Sequence, residues 1–266
     1  MNTLRLIPLL LTLASPLAAL AQDAEQGTYP ADPHDMSGVW MNDNTLDETL
    51  RRLGLKRLAP GVALPPTGLA PPPGPEVLTP EYKAIFERRR AAQAQLAEGV
   101  ESCEWVGMPN VMTYPYPFEI LHTEGRVTLI FEVDSQVRRI FLDRAEHLPF
   151  DELDPTYNGD SIGHWEGDTL VVDTTGFHAH TELWNGLPHS EQLHIVERFN
   201  WLDADTIRVD FVLNDPLALT RPIERTVVYS RRSDWRIREY SCLENNRDSP
   251  DEAGQRVGGL VNQVPE

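Results

Sequence analysis

The chain is short of cysteine, of positive charge and of long apolar runs. Its 266 residues contain only Cys103 and Cys242, and neither C-x-x-C nor H-E-x-x-H occurs, so the common zinc motifs are missing. Lys and Arg number 23 against 41 Asp and Glu, a formal net charge of -18. A surface of that sign repels nucleic acid and anionic lipid, and neither is expected as a partner. Beyond the first residues no second long apolar segment exists, so no membrane insertion is expected. Strands and helices do not alternate as in a βαβ fold, and no repeat of fixed period occurs. No dinucleotide or phosphate loop is present, and no cofactor is expected.

What is there begins with a leader. Met1 to Ala21 carries one positive charge (Arg5), an apolar run from Leu6 to Leu13, and the small-residue triplet Ala19-Leu20-Ala21. That is the layout of a signal peptide cut after Ala21, with no adjacent cysteine for a lipid anchor. A periplasmic or secreted protein is expected. About 245 residues would remain, enough for one large domain. In an oxidising compartment the pair Cys103 and Cys242 reads as a disulfide, closing a loop whose entropy is worth roughly 5 kcal/mol.

Residues 22–78 are Pro-rich and irregular ("APGVALPPTGLAPPPGPEVLTP" covers 59–80) apart from a first strand in "DMSGVWMN". A helix is expected over 79–99, capped by Thr79 with Pro80 at its first position and with Tyr82, Ile85, Phe86 and Leu96 as its apolar positions. Residues 100–245 are read as the barrel body, with the strand signal running from Tyr116 onward. "FEILHTEGRVTLIFEV" is a hairpin, and "VRRIFLD" is a further strand. "SIGHWEGDTLVVDTT", "QLHIVERFNWLDADTIRVDFVL" and "ERTVVYSRRSDWRIREYSC" are hairpins turning at 166–168, 203–205 and 232–234. Nine or ten strands of this kind make an antiparallel up-and-down barrel, with a β-sandwich as the alternative, because an open meander would leave edges exposed. Residues 36–245 are read as one domain and 246–266 as an irregular tail.

Gly38-x-Trp40 on a first strand ahead of such a meander resembles the opening of lipocalin-like (calycin) barrels. "YNGDSIGHWEGDTLVVDTTGF", then "GLPHS" and "ERF", is similar to a widespread family of secreted bacterial β-rich proteins. The resemblance spans about residues 36–245. It implies secretion and a β-rich fold, and it brings no catalytic residues to carry over.

Reading each strand in steps of two places ionisable residues on otherwise apolar faces. His122 goes with Phe118 and Ile120, Arg139 with Val137 and Phe141, and Asp173 with Val171. Glu197 goes with Leu193, Ile195 and Phe199, and Glu239 with Trp235 and Ile237. An unpaired charge in a core costs several kcal/mol, so these groups must pair, meet water or line a cavity. The structural alternative pairs Arg139 and Arg225 with Glu197 and Glu239. In "GLPHSEQLHIVERF" a proline turn presents His189 and Ser190 on a loop at the barrel mouth. A histidine beside a carboxylate is a reasonable general base, which makes His189, Glu197, Asp173 and Arg139 the candidate catalytic residues.

Tyr116, Tyr157, Trp165, His122, Glu239 and Ser190 are the candidate substrate contacts. They suit an apolar or aromatic small molecule. No metal is expected. The alternative uses His178 and His180, which face the same way in an extended "FHAHTE", with His189 or Glu182 as a third ligand. "GDSIG" matches G-x-S-x-G, yet a strand rather than a helix follows it, so Ser161 lacks the elbow a nucleophilic serine needs. The expected activity is cofactor-independent acid–base chemistry, by a lyase, isomerase or hydrolase, on a small organic molecule held in the barrel. The alternative is a lipocalin-type binding protein with no reaction.

Overall fold

The computed structural model describes residues 29–42, 72–94, 105–149 and 152–241. The leader, Cys103, Cys242, Leu96 and the tail lie outside the described residues. Nine strands close into a barrel in chain order: β1 (Gly38–Asn42), β2 (Phe118–Thr123), β3 (Arg126–Phe131), β4 (Val137–Phe141), β5 (Asp160–Glu166), β6 (Thr169–Thr175), β7 (His194–Asp203), β8 (Thr206–Asn214) and β9 (Ile223–Arg231). The architecture is the expected barrel, with one correction to its meander. β4 and β5 pair in parallel, through Ile140 with Ser161 and Phe141 with Ile162. The reason is parity. Direction reverses at every antiparallel junction, so a closed circuit holds an even number of them. Nine strands whose ends β1 and β9 are antiparallel therefore need one parallel junction, and the long connection 142–159 supplies it.

A second correction concerns the last expected strand. After β9 the chain turns and leaves the sheet. Residues 235–241 make only an isolated bridge, Val133 with Tyr240. The helix is α1 (Pro80–Gln93), which lies outside the barrel with no residue fully buried. Tyr82 and Phe86 touch the core from one side. Thr79 does not cap it through its side chain. The Thr79 hydroxyl donates instead to Leu217 O at 2.9 Å, tying the helix start to the β8–β9 connection.

The two ends of the barrel differ. Two-residue turns at Glu124-Gly125, Gly167-Asp168 and Ala204-Asp205 close one end, backed by residues 29–37, where Trp201 donates to Pro33 O at 2.9 Å. Residues 142–159 run from the tight-turn end to the other end, where the β6–β7 and β8–β9 connections lie. The 3-10 turn Asn110–Thr113 and the loop containing Trp184–Gly186 plug it with Met108, Met112, Leu183 and Leu187, all buried. Tyr229 donates to Met112 O at 2.7 Å, and Trp184 Nε1 donates to Thr113 Oγ1 at 3.1 Å, which holds the plug in place.

Between the ends the interior is packed with side chains, among them Trp40, Phe118, Phe131, Phe199, Phe211 and Tyr229. The largest polar side chain inside is Arg138. Its guanidinium forms a bidentate ion pair with Glu197 across the barrel, with Nη1 to Oε1 at 2.9 Å and Nη2 to Oε2. Nε donates to Ser161 at 3.1 Å and Nη2 also to Thr174 at 2.9 Å. A buried ion pair is tolerable when its remaining donors are used in this way.

This accounts for the "GDSIG" stretch without a nucleophile. Gly159 has φ +69°, and a Cβ there would lie 2.7 Å from Thr175 O. Ser161 is the hydroxyl partner of Arg138. At Gly163 a Cβ would come within 2.8 Å of Ile140. Gly159 is fixed by its positive φ just ahead of β5, and Ser161 and Gly163 by packing on the inner face of β5.

Candidate small-molecule site

Loops on a rigid scaffold are where functional side chains gather, and here they gather at one end. A cleft of about 510 Å3 opens there between Tyr82 of α1, residues 189–192 and Leu217. Its volume lies in the range of small-molecule pockets. The wall is built around Asp215, which is fully buried. Asp215 precedes Pro216, and its carboxylate accepts the backbone N–H groups of Leu217 and Ala218, an Asx turn. The same carboxylate accepts the Ser190 N–H at 2.6 Å and the Ser190 hydroxyl at 2.7 Å. One side chain therefore locks both loops that line the cleft. The Tyr82 phenol is pushed above its ordinary range by burial and by the Asp215 charge, while its interaction with Ser190 pulls the other way.

His189 is enclosed, 6% exposed. Its Nδ1 lies 2.7 Å from Ser190 O, and a carbonyl only accepts, so Nδ1 carries a proton. Nε2 lies 2.6 Å from the Thr181 hydroxyl. Burial lowers the imidazole below its ordinary value, against weaker opposing pulls from the Ser190 carbonyl and Asp215. The neutral Nδ1–H form follows, with Nε2 accepting from Thr181. The Thr181 oxygen also stands 2.8 Å from His178 O, so that hydroxyl has a second acceptor in reach.

The structure distributes the other candidates. Ser190 joins His189 in the cleft wall. Glu197 points inward as its neighbours require, but both its oxygens are taken by Arg138, and no hydrogen bond or ion pair joins it to His189 among the described residues. Arg139 is exposed on the outer face, and the inward cation of β4 is Arg138. The Asp134-Ser135 turn starts the strand so that Gln136, Arg138 and Ile140 face in. The register is one residue from the expected one, which exchanges the faces.

Asp173 is also on the outer face, since Val172 and Thr174 face in. It accepts from His194 Nε2 at 2.7 Å and His147 Nε2 at 2.8 Å. His147 Nδ1 reaches Asp160 at 2.9 Å, and Arg144 pairs with Asp160 as well. Burial opposes ionisation of both aspartates, yet their hydrogen bonds outweigh it and hold both below the usual carboxylate range. His194 is raised by its bond to Asp173.

His122 and Trp165 meet at the opposite, tight-turn end. There His122 Nε2 accepts from Met36 N at 3.3 Å, and Trp165 stacks on His34 at 4.3 Å. Burial lowers His122. Tyr116 packs against Tyr240 with the rings tilted and their centroids 4.8 Å apart, and its bond to that phenol, with burial second, pushes it up to about 12. Tyr157 stacks on His178 at 5.0 Å. Glu239 is exposed and lies on the segment that left the sheet, which corrects its expected inward position. His178 and His180 meet edge to face at 4.9 Å, and among the described residues no three His, Cys, Asp or Glu side chains converge as metal ligands would.

Sequence reading missed Tyr82, Asp215 and Gln192 as parts of the cleft. "NDP" at 214–216 was a usable signal, because an Asp ahead of Pro in a connection marks a side chain that ties down backbone. The fold and site define a closed β-barrel suited to holding a small molecule at its loop end. No family model and no curated protein matches the chain, so the resemblance noted above stands on its motifs.

Proposed function

We propose that the protein is a secreted, periplasmic barrel that binds a small organic molecule in the cleft between α1 and residues 189–192. The observation that carries this reading is the Asp215-locked wall, where a fixed Ser190 hydroxyl stands beside the Tyr82 phenol over a cavity of about 510 Å3. Apolar surface from Leu217 and Tyr82 supplies burial, and Ser190 and Gln192 supply orientation. The acidic surface and the 21-residue leader motif fit a periplasmic carrier that avoids nucleic acid and membrane surfaces.

A second reading, acid–base catalysis by a cofactor-independent lyase, isomerase or hydrolase, is favoured by Thr181. Turning its hydroxyl from His189 Nε2 to His178 O frees a neutral imidazole nitrogen at the cleft. That nitrogen could then take a proton from a bound substrate. Arg138 and Glu197 hold the barrel under both readings.

A thermal-shift screen of small apolar and aromatic compounds, followed by calorimetry, tests the proposal. A ligand that binds saturably to the parent should bind at least ten-fold more weakly to Tyr82→Ala. Undiminished affinity in that variant would sink the cleft assignment. Turnover of the same ligand, abolished in His189→Gln but retained in Thr181→Val, would select the catalytic reading.

A further inference from the structure

Arg225 is the second cation on the inner face of the barrel. Its Cα is paired with that of Phe211, and the neighbours Ile223, Val227 and Tyr229 on the same face of β9 are buried. Its guanidinium lies over the ring of Trp184, 4.7 Å from the centroid. That ring is itself fixed: it is buried, packs edge-on to Phe211 at 5.5 Å, and donates to Thr113. So the cation rests on a ring held by packing and a hydrogen bond.

The contrast with Arg138 is informative. Arg138 is fully enclosed and has a carboxylate and two hydroxyls. Among the described residues Arg225 has no carboxylate partner and no hydrogen bond, although burial already disfavours its charge. Arg225 is intermediate in exposure rather than sealed as Arg138 is, and its nitrogens are not among the buried unsatisfied atoms of the described residues. Glu197 neutralises Arg138, so among the described residues Arg225 is the cation at the loop end of the interior without a carboxylate beside it. A half-desolvated guanidinium without an anion is costly to keep. A guanidinium fork matches the two oxygens of a carboxylate.

We propose that Arg225 on Trp184 is an anion-binding site for a singly charged oxyanion, the carboxylate of a small organic acid. A single free positive charge matches a monoanion better than a phosphate dianion, and the aromatic and aliphatic surroundings match the organic part of the acid. The site does not share residues with the Tyr82–Ser190 cleft, so failure of either assignment leaves the other standing.

The test is a titration at constant ionic strength with benzoate, with benzamide as the uncharged analogue and inorganic phosphate as the alternative anion. Heat of binding and tryptophan fluorescence are recorded for the parent, Arg225→Gln, Arg225→Lys and Trp184→Phe. Benzoate should bind saturably and raise the melting temperature, and benzamide should not. Arg225→Gln should weaken benzoate at least ten-fold, and Arg225→Lys by less. In Trp184→Phe the fluorescence response should vanish. Because Arg225→Gln removes a cation with no carboxylate partner among the described residues, its melting temperature without ligand should not fall, which keeps the variant interpretable. No saturable benzoate binding, binding undiminished in Arg225→Gln, or a site that takes phosphate in preference to benzoate would each overturn the proposal.

Discussion

Arg138 of β4 reaches across the barrel interior to Glu197 of β7, and both side chains are completely enclosed. The pair joins strands on opposite walls, so it fixes their relative height as well as their charge. Removing one partner strands the other. Glu197→Gln should destabilise the fold by about 3–5 kcal/mol, because the guanidinium remains without a counterion. For a domain of this size that is a drop of roughly 6–20 °C in melting temperature. Replacing the pair together, as Arg138→Met with Glu197→Leu, should recover most of the loss. Thermal melts of both variants decide, and an unchanged melting temperature for Glu197→Gln would show that the pair is not buried.

Gln136 faces inward at the start of the same strand. It is fully buried, and among the described residues neither its amide nitrogen nor its amide oxygen has a partner. A buried amide without hydrogen bonds costs on the order of 1–3 kcal/mol, more than a thioether of similar length loses. Gln136→Met should therefore leave the melting temperature unchanged or raise it. A fall of several degrees would mean that the amide is satisfied, by a bound water for instance.

These two inward residues also show what was legible in the sequence. Strand alternation was clear from Phe118 onward, because Val, Ile and Phe repeat at steps of two and the turns carry Gly and Asp. That is enough to expect a barrel and to point Glu197 inward. It is not enough for β4. In "SQVRRIF" two arginines are adjacent, and either can be the inward one. Register depends on where the Asp134-Ser135 turn ends, a matter of two residues with positive φ that the hydrophobic pattern does not encode. Asp173 misled for a different reason. Its neighbour Val171 is buried although it faces out, so an apolar neighbour was a poor guide to the inner face. The cleft was the least legible part, because it is made by α1, residues 189–192 and residues 215–218, which meet only in the folded chain.

The outer cluster of His147, Asp160, Asp173 and His194 should make stability depend on pH in a bounded window. His194 is raised in the folded state, so its contribution is complete below the unfolded value of about 6.5 and is lost as pH rises through the folded value. Asp173 and Asp160 are lowered, so theirs is complete above about 3.9 and is lost as pH falls through the folded values. The cluster is strongest between these limits. Asp173 is 37% exposed on its side chain, which limits its bond with His194 to about 1 kcal/mol or less. The difference in melting temperature between the parent and Asp173→Asn should peak near pH 5–6 and shrink above pH 8. A difference that is flat across this range would rule out the pairing with His194.

His189 should behave in the opposite sense. Its folded value is lowered by burial, so the unfolded chain binds the proton more readily, and folding loses stability as pH falls from about 6.5 towards the folded value. In the native protein its ring resonances should titrate below those of a free histidine, while those of His194 titrate above. Proton NMR, with His189→Gln and His194→Gln used for assignment, separates the two. His189→Gln should also flatten the acid limb of the stability curve and cost about 1–3 kcal/mol near neutral pH, since Thr181 and the Ser190 carbonyl lose a buried partner. A loop position alone would suggest a silent substitution. Enclosure against Phe177, with both ring nitrogens bonded, argues for the cost. A His189 resonance titrating at or above 6.5 would contradict the neutral, Nδ1-protonated form from which the cleft chemistry is drawn.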